Sequence, residues 1–104
     1  MTKWIRSYWD EEDITFYWEI GDDGWVTRHV ELAGPELTPQ AAASLQEWMR
    51  ELDAGRIQQY AAKYGALADQ PVTEWDPGFP HEDVTRDEYE KIWLAARRSL
   101  ERDG

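Results

Sequence analysis

The chain has no cysteine. That excludes a disulfide framework, a thiol nucleophile and a thiolate metal site, and it fits a reducing compartment, so the cytoplasm is the expected location. Long hydrophobic runs are missing too. The opening residues Met1–Asp13 hold no apolar segment of signal-peptide length, and no stretch is long enough to cross a bilayer. Neither a visible secretion signal nor a membrane anchor is therefore expected. Serine is scarce: Ser7, Ser44 and Ser99 are the only ones, none in a nucleophile-elbow pattern, and covalent catalysis is not expected. The glycines fall into neither a P-loop nor a dinucleotide fingerprint. His29 and His81, the only two histidines, show no metal-ligand spacing. The acidic run Asp10–Asp13 lacks the alternating carboxylates and the glycine of a calcium loop. No catalytic residue, metal site or cofactor is predicted. Carboxylate pairs for acid–base work occur in any acidic chain, so they single out no residue here.

Basic residues are few as well. Eleven Lys and Arg stand against 22 Asp and Glu, a net charge of −11, which argues against nucleic acid and anionic membranes as direct partners. The acids cluster. Asp10, Glu11, Glu12, Asp13, Glu19, Asp22 and Asp23 fall within Asp10–Asp23, where there is no Lys or Arg. Such a cluster is either a solvated loop or an attractor for a basic partner.

What is abundant is aromatic. Seven Trp, five Tyr and two Phe raise the apolar share to 41% in spite of a mean hydropathy of −0.80, the signature of a globular chain with a polar surface. At 104 residues one domain, 1–104, is expected. Ile14, Phe16, Trp18 and Ile20 alternate with polar residues, as do Val26, Val30 and Leu32, and Lys3–Trp9 is a third extended run. Between the first two sits Gly21-Asp22-Asp23-Gly24-Trp25. A three-residue loop closed by Gly24 in the left-handed region pairs Gly21 with Trp25. Continued without interruption, that register sets Ile20 against Val26, Trp18 against Arg28, Phe16 against Val30 and Ile14 against Leu32. Arg28 then stacks on Trp18, and His29 is a half-exposed strand histidine opposite Tyr17.

Downstream the period becomes helical. Thr38 as N-cap and Pro39 in the first turn open a helix with the stripe Ala41, Leu45, Trp48, Met49 and Leu52, ending at Gly55. A second, shorter helix carries Ile57, Tyr60, Ala61 and Tyr64 and stops at Gly65. Gly65–His81 reads as a loop with at most a short strand near Val72–Trp75. Thr85 and Glu88 form a capping box for a last helix with the stripe Tyr89, Ile92, Trp93, Ala96 and Leu100. The expected fold is α+β: a three-stranded antiparallel sheet, two central helices and a long C-terminal helix.

Two blocks also carry a resemblance. Tyr17-Trp18-Glu19-Ile20, Asp22-Asp23-Gly24-Trp25, Arg28 and Val30-Glu31, followed by "DPGFPHEDVTRDEYEKIW", resemble a family of short uncharacterised bacterial proteins known only as a domain of unknown function. The resemblance covers about 40 of the 104 residues. It implies a small α+β domain and transfers no activity; in the middle, where the family has a strand-like stretch, this chain reads instead as two helices from Thr38 to Tyr64.

Two functional readings follow. One is a non-catalytic acidic binding protein, like an immunity or inhibitor protein, whose acidic-aromatic surface docks a basic protein. Asp10, Glu11, Glu12, Asp13, Tyr17, Asp22, Asp23 and Trp25 are its contact candidates. With so many rings, some of Trp4, Tyr8, Tyr17, Trp25 and Trp75 are expected to stay partly exposed unless a helix covers that sheet face. The other reading is a small-ligand binder or minor enzyme, with carboxylates in a cleft between sheet and helices.

Overall fold

The computed structural model describes residues 2–65 and 81–102; the expected strand near Val72–Trp75 and the exposure of Trp75 lie outside them. Within these, β1 (Lys3–Trp9), β2 (Ile14–Ile20), β3 (Val26–Ala33) and β4 (Thr38–Ser44) precede α1 (Leu45–Asp53) and α2 (Ile57–Tyr64). β5 (Glu82–Asp83) and α3 (Arg86–Arg102) follow. The fold is α+β, but the antiparallel sheet has five strands in the order β4-β3-β2-β1-β5, not three.

The turn between β2 and β3 forms as its residues dictate. Gly24 has φ 86°, the Gly24 amide donates to Gly21 O at 3.0 Å, and the Gly21 amide donates to Trp25 O at 2.9 Å. A Gly24→Val variant forces a β-branched residue into that region, and it should lose about 1–2 kcal/mol in urea titration. An unchanged midpoint would show that the turn does not need this conformation.

Beyond the turn the register departs from the uninterrupted one. Ile20 faces Val26, yet Glu19 faces Arg28, Trp18 faces His29 and Tyr17 faces Val30, because Thr27 is an extra residue on β3. This bulge is held by the Thr27 hydroxyl, which donates to Glu19 O at 3.2 Å and to Glu19 Oε1 at 2.8 Å. One inserted residue reverses the face of every later side chain. Val30 and Leu32 therefore join Tyr17, Ala42, Tyr89 and Ala96 in one core. Trp18, Ile20, Val26 and Ile5 form a second core on the opposite face. Arg28 does not stack on Trp18, since the two side chains lie on opposite faces. His29 is not half-exposed: it is 7% accessible, and Nδ1 accepts a hydrogen bond of 2.6 Å from the Trp18 indole N–H.

The largest correction concerns Thr38–Gly55. Its first seven residues are strand β4, paired with β3 from Arg28↔Ser44 to Ala33↔Thr38. Alanine favours helix intrinsically, but β3 carries the fully buried Val30, and pairing with β4 covers its edge and brings Ala42 into the same core. The small side chains also allow close approach. A Cβ at Gly65, whose φ is 85°, would lie 2.6 Å from the Ala41 Cβ, so α2 ends against this strand only because Gly65 has none. Helix α1 begins later, capped by Ser44, whose Oγ accepts from the Glu47 amide at 3.1 Å. The reciprocal half of this capping box passes through a phenol: the Ser44 amide donates to Tyr60 Oη (2.9 Å), and Tyr60 Oη donates to Glu47 Oε1 (2.8 Å). Met49 and Leu52, expected in the core, are 53% and 51% exposed.

Helix α3 starts at its predicted cap, with the Glu88 amide donating to Thr85 Oγ1 at 3.1 Å. Its predicted stripe is buried or packed on the first core. Between α3 and the sheet runs an alternation of rings and guanidinium groups. Arg28 lies 5.0 Å from the Tyr89 ring centre and 5.2 Å from that of Trp93. Arg97 lies 4.5 Å from Trp93 and 3.8 Å from Tyr64.

Candidate functional site

Helix α3 packs chiefly against β4 and β3, and on the same sheet face, further along over β1 and β2, lies a cleft. The pairs Arg6↔Tyr17 and Tyr8↔Thr15 place four side chains there as a square. With Leu37, His81 and Glu82 they line a cleft of about 570 Å³. Its floor is tied down on three corners. Tyr17 is 8% exposed, with its ring in the core, and lies across from Arg6 in the β1–β2 register. Arg6 pairs with Glu82 at 2.7 Å, a bond that raises the guanidinium pKa further. The Tyr8 phenol donates to Asp13 Oδ1 at 2.8 Å and is held above its usual range, first by that bond. The fourth corner, Thr15, is also 8% exposed, and its hydroxyl has no hydrogen-bond partner among the described residues.

One end of the cleft is acidic. Asp13 has φ 54°, and its carbonyl accepts from the Gly34 amide at 2.8 Å, which joins the Asp10–Asp13 turn to the turn at Gly34–Leu37. Asp10, Glu11, Glu12, Asp13 and Glu36 thus share one end of the sheet with Tyr8, Trp9 and Leu37, which are 52%, 44% and 47% exposed. Glu31 belongs to the same end. Burial, and then the charge of Glu12, push its carboxyl above the usual range.

Of the sequence-derived contact candidates, Asp10, Glu11, Glu12 and Asp13 are gathered at this end. Tyr17 is floor and not rim. Asp22, Asp23 and Trp25 sit at the other end of β2, where the Trp25 amide donates to Asp23 Oδ1 at 3.1 Å and Trp25 is 40% exposed. Arg6, Thr15 and Leu37 were not singled out by the sequence, and Tyr8 was only as a ring expected to stay partly exposed, which it is. The Arg6/Tyr8 and Thr15/Tyr17 spacings of two were visible signals, but only the strand register brings the four residues together on one face.

Charge is distributed unevenly along the chain. Residues 7–49 contain ten Asp and Glu against a single Arg, a net of −9 out of −11. That one cation, Arg28, is spent internally, since it reaches Glu19 at 2.6 Å and Glu90 at 2.5 Å.

A second cleft, about 600 Å³, lies between β3 and α1 and is lined by Glu19, Arg28, Glu47, Met49 and Trp93 among others. Its carboxylates are occupied. Burial raises the Glu19 carboxyl, but the bonds from Arg28, Trp4 and Thr27 outweigh it and hold the group below the usual range. Glu47 is likewise lowered on balance, by Arg97 and Tyr60 against burial. Neither holds a proton to donate near neutral pH. Among the described residues, no three His, Cys, Asp or Glu are grouped as a metal ion requires, and no helix is long and apolar enough to cross a membrane. No protein-family model, curated protein or solved structure matches the chain.

Proposed function

We propose that the protein is a non-catalytic binding protein that docks a basic protein partner, as immunity and inhibitor proteins do, through the acidic end of its sheet. The observation that carries this reading is the gathering of Asp10, Glu11, Glu12, Asp13 and Glu36 at the same end of the sheet as the exposed Tyr8, Trp9 and Leu37. Negative charge steers a cationic surface in, and the aromatic and apolar groups supply the area that holds it. The small-ligand alternative draws less support, because the carboxylates of the β3–α1 cleft are already paired with Arg28 and Arg97.

The Asp22-Asp23 tip forms a separate contact. It lies a seven-residue strand away from the Asp10–Asp13 turn, roughly 23 Å, well beyond a Debye length of about 8 Å. Reversal of Asp10, Glu11 and Glu12 to Lys should slow association with the partner and flatten its salt dependence, with the thermal midpoint level or raised. The test is affinity capture from host extract with wild-type and reversed protein, followed by reconstitution of any basic protein that only the wild type retains. Stopped-flow rates at low and high salt should then differ for the wild type and converge for the variant. If no captured protein depends on these acids, the proposal fails.

A further inference from the structure

Helices α1 and α2 leave the sheet at Ser44 and return to it at Gly65, which packs on Ala41 of the same strand. Between these two points the chain makes an excursion that belongs to neither core. No residue of α1 is buried, Tyr60 is the single buried residue of α2, and among the described residues neither core takes a side chain from either helix. The pair does hold itself together. Trp48 stands edge-on to Tyr60 at 6.1 Å, Tyr60 lies 5.2 Å from Tyr64, and Arg56 reaches the Glu51 carboxylate at 2.7 Å and, through its amide, the Glu51 carbonyl at 2.8 Å.

Attachment to the rest of the domain converges on one side chain. Arg97 is fixed to the sheet by Nε, which donates to Ala42 O at 2.7 Å. Its remaining donors serve the helix pair: Nη1 bonds Glu47 Oε2 at 3.3 Å, and Nη2 bonds Glu47 Oε1 and, at 3.2 Å, Tyr60 Oη. The Tyr64 ring completes the clasp, 3.8 Å from the guanidinium carbon, and its phenol adds an exposed bond of 3.0 Å to Glu101.

We propose that α1 and α2 form a flap that lifts from β4 and α3 as one unit while the sheet stays folded, with Arg97 as its latch. A segment that buries little apolar surface, and that enters and leaves along one strand, opens at a fraction of the free energy of the whole domain. Concentrating the closure in one forked, charge-assisted contact lets a single side chain set how often this happens.

The test is amide hydrogen exchange on the full chain at neutral pH, resolved by NMR. In the wild type the slowest amides of α1 and α2 should exchange about tenfold or more faster than the slowest of β2 and β3. Two substitutions separate the flap from global unfolding. Ile20→Val thins the core on the other sheet face equally in the closed and the lifted form, so it should speed the β2 and β3 amides about fivefold and leave α1 and α2 unchanged. Arg97→Met removes the contacts to Glu47, Tyr60 and Tyr64, which exist only in the closed form, and should speed α1 and α2 about tenfold. Arg97→Lys, which keeps the charge without the fork, should fall between and covers the case in which methionine prevents folding. If Ile20→Val speeds α1 and α2 as much as the sheet, they open only when the whole domain does, and the flap is wrong. If the Arg97 variants leave α1 and α2 at the wild-type rates, the latch is overturned.

Discussion

Replacing Arg28 by Met should lower stability by about 3 kcal/mol, the lower end of the cost of breaking a buried ion pair, and the thermal midpoint of a domain this size by more than about 10 °C. The reasoning starts from what Arg28 touches. Its Nε donates to Glu19 Oε1 at 3.0 Å, its Nη atoms reach Glu19 and Glu90, and the guanidinium lies against the Tyr89 and Trp93 rings. The Arg28 and Glu19 side chains are each only 17% accessible. Methionine fills most of the volume but leaves the Glu19 carboxylate with only neutral donors, Trp4 and Thr27. The stranded charge, more than the lost attraction, sets the cost. Adding Glu19→Gln should therefore recover a substantial part of the loss, and Arg28→Lys, which keeps the charge without the fork, should fall between. Urea unfolding of the four proteins tests this. A single variant that unfolds at the wild-type midpoint would remove the cluster from the account of stability.

Mild acid should destabilise the protein before the carboxylates titrate. Burial pushes His29 down to about 4 from 6.5, and its Nδ1 is an acceptor for the Trp18 N–H, so a protonated ring would set two donors against each other. An imidazole with a lowered folded pKa leaves the unfolded chain holding more protons, so its stabilisation is complete above about pH 6.5 and is lost as the pH falls from there towards about 4. The loss over that window is about 3 kcal/mol, at 1.36 kcal/mol per pKa unit. Glu19, Glu47 and Glu90 are all lowered, and their share disappears only as the pH drops further, below the ordinary carboxylate range of about 4.3. Glu31 is raised and works the other way, gaining stability as it takes up its proton. Denaturant midpoints between about pH 7.5 and about pH 4.5 should fall for the wild type and stay nearly level for His29→Gln. A flat wild-type profile over that range would mean that His29 is protonated in the folded state.

Elements whose local chemistry and burial agree were legible from sequence. The Asp22-Asp23-Gly24 turn needs φ above zero at one position and has glycine there. Helix α3 has a capping box, a 3.6-residue stripe and a surface that α-helical burial satisfies. β4 was not legible because Thr38, Pro39 and three alanines favour helix locally, and only the need of β3 for a partner overrides them. The true signal stood six residues further on, in Ser44-Leu45-Gln46-Glu47. The bulge at Thr27 left no mark in the hydrophobic pattern, and it split into two cores what an even register places in one. The acids of the candidate site could be read directly. The cleft beside them could not, since its lining is brought together from β1, β2, Leu37, His81 and Glu82, which are far apart in the sequence.

The outer edge of β4 has one more consequence. Its backbone groups are satisfied from outside the sheet: Arg97 Nε donates to Ala42 O at 2.7 Å, and the Ser44 amide donates to Tyr60 Oη. The strand carries no charge, its second half is three alanines and a serine, and Pro39 blunts only its start, so the protection of Ala41–Ser44 is on loan from α2 and α3. A fluctuation that lifts those helices, well short of global unfolding, bares a flat template of free amides and carbonyls. Polymerisation of this protein should then follow the population of that partly opened form, accelerating under conditions in which the bulk of the sheet is still folded.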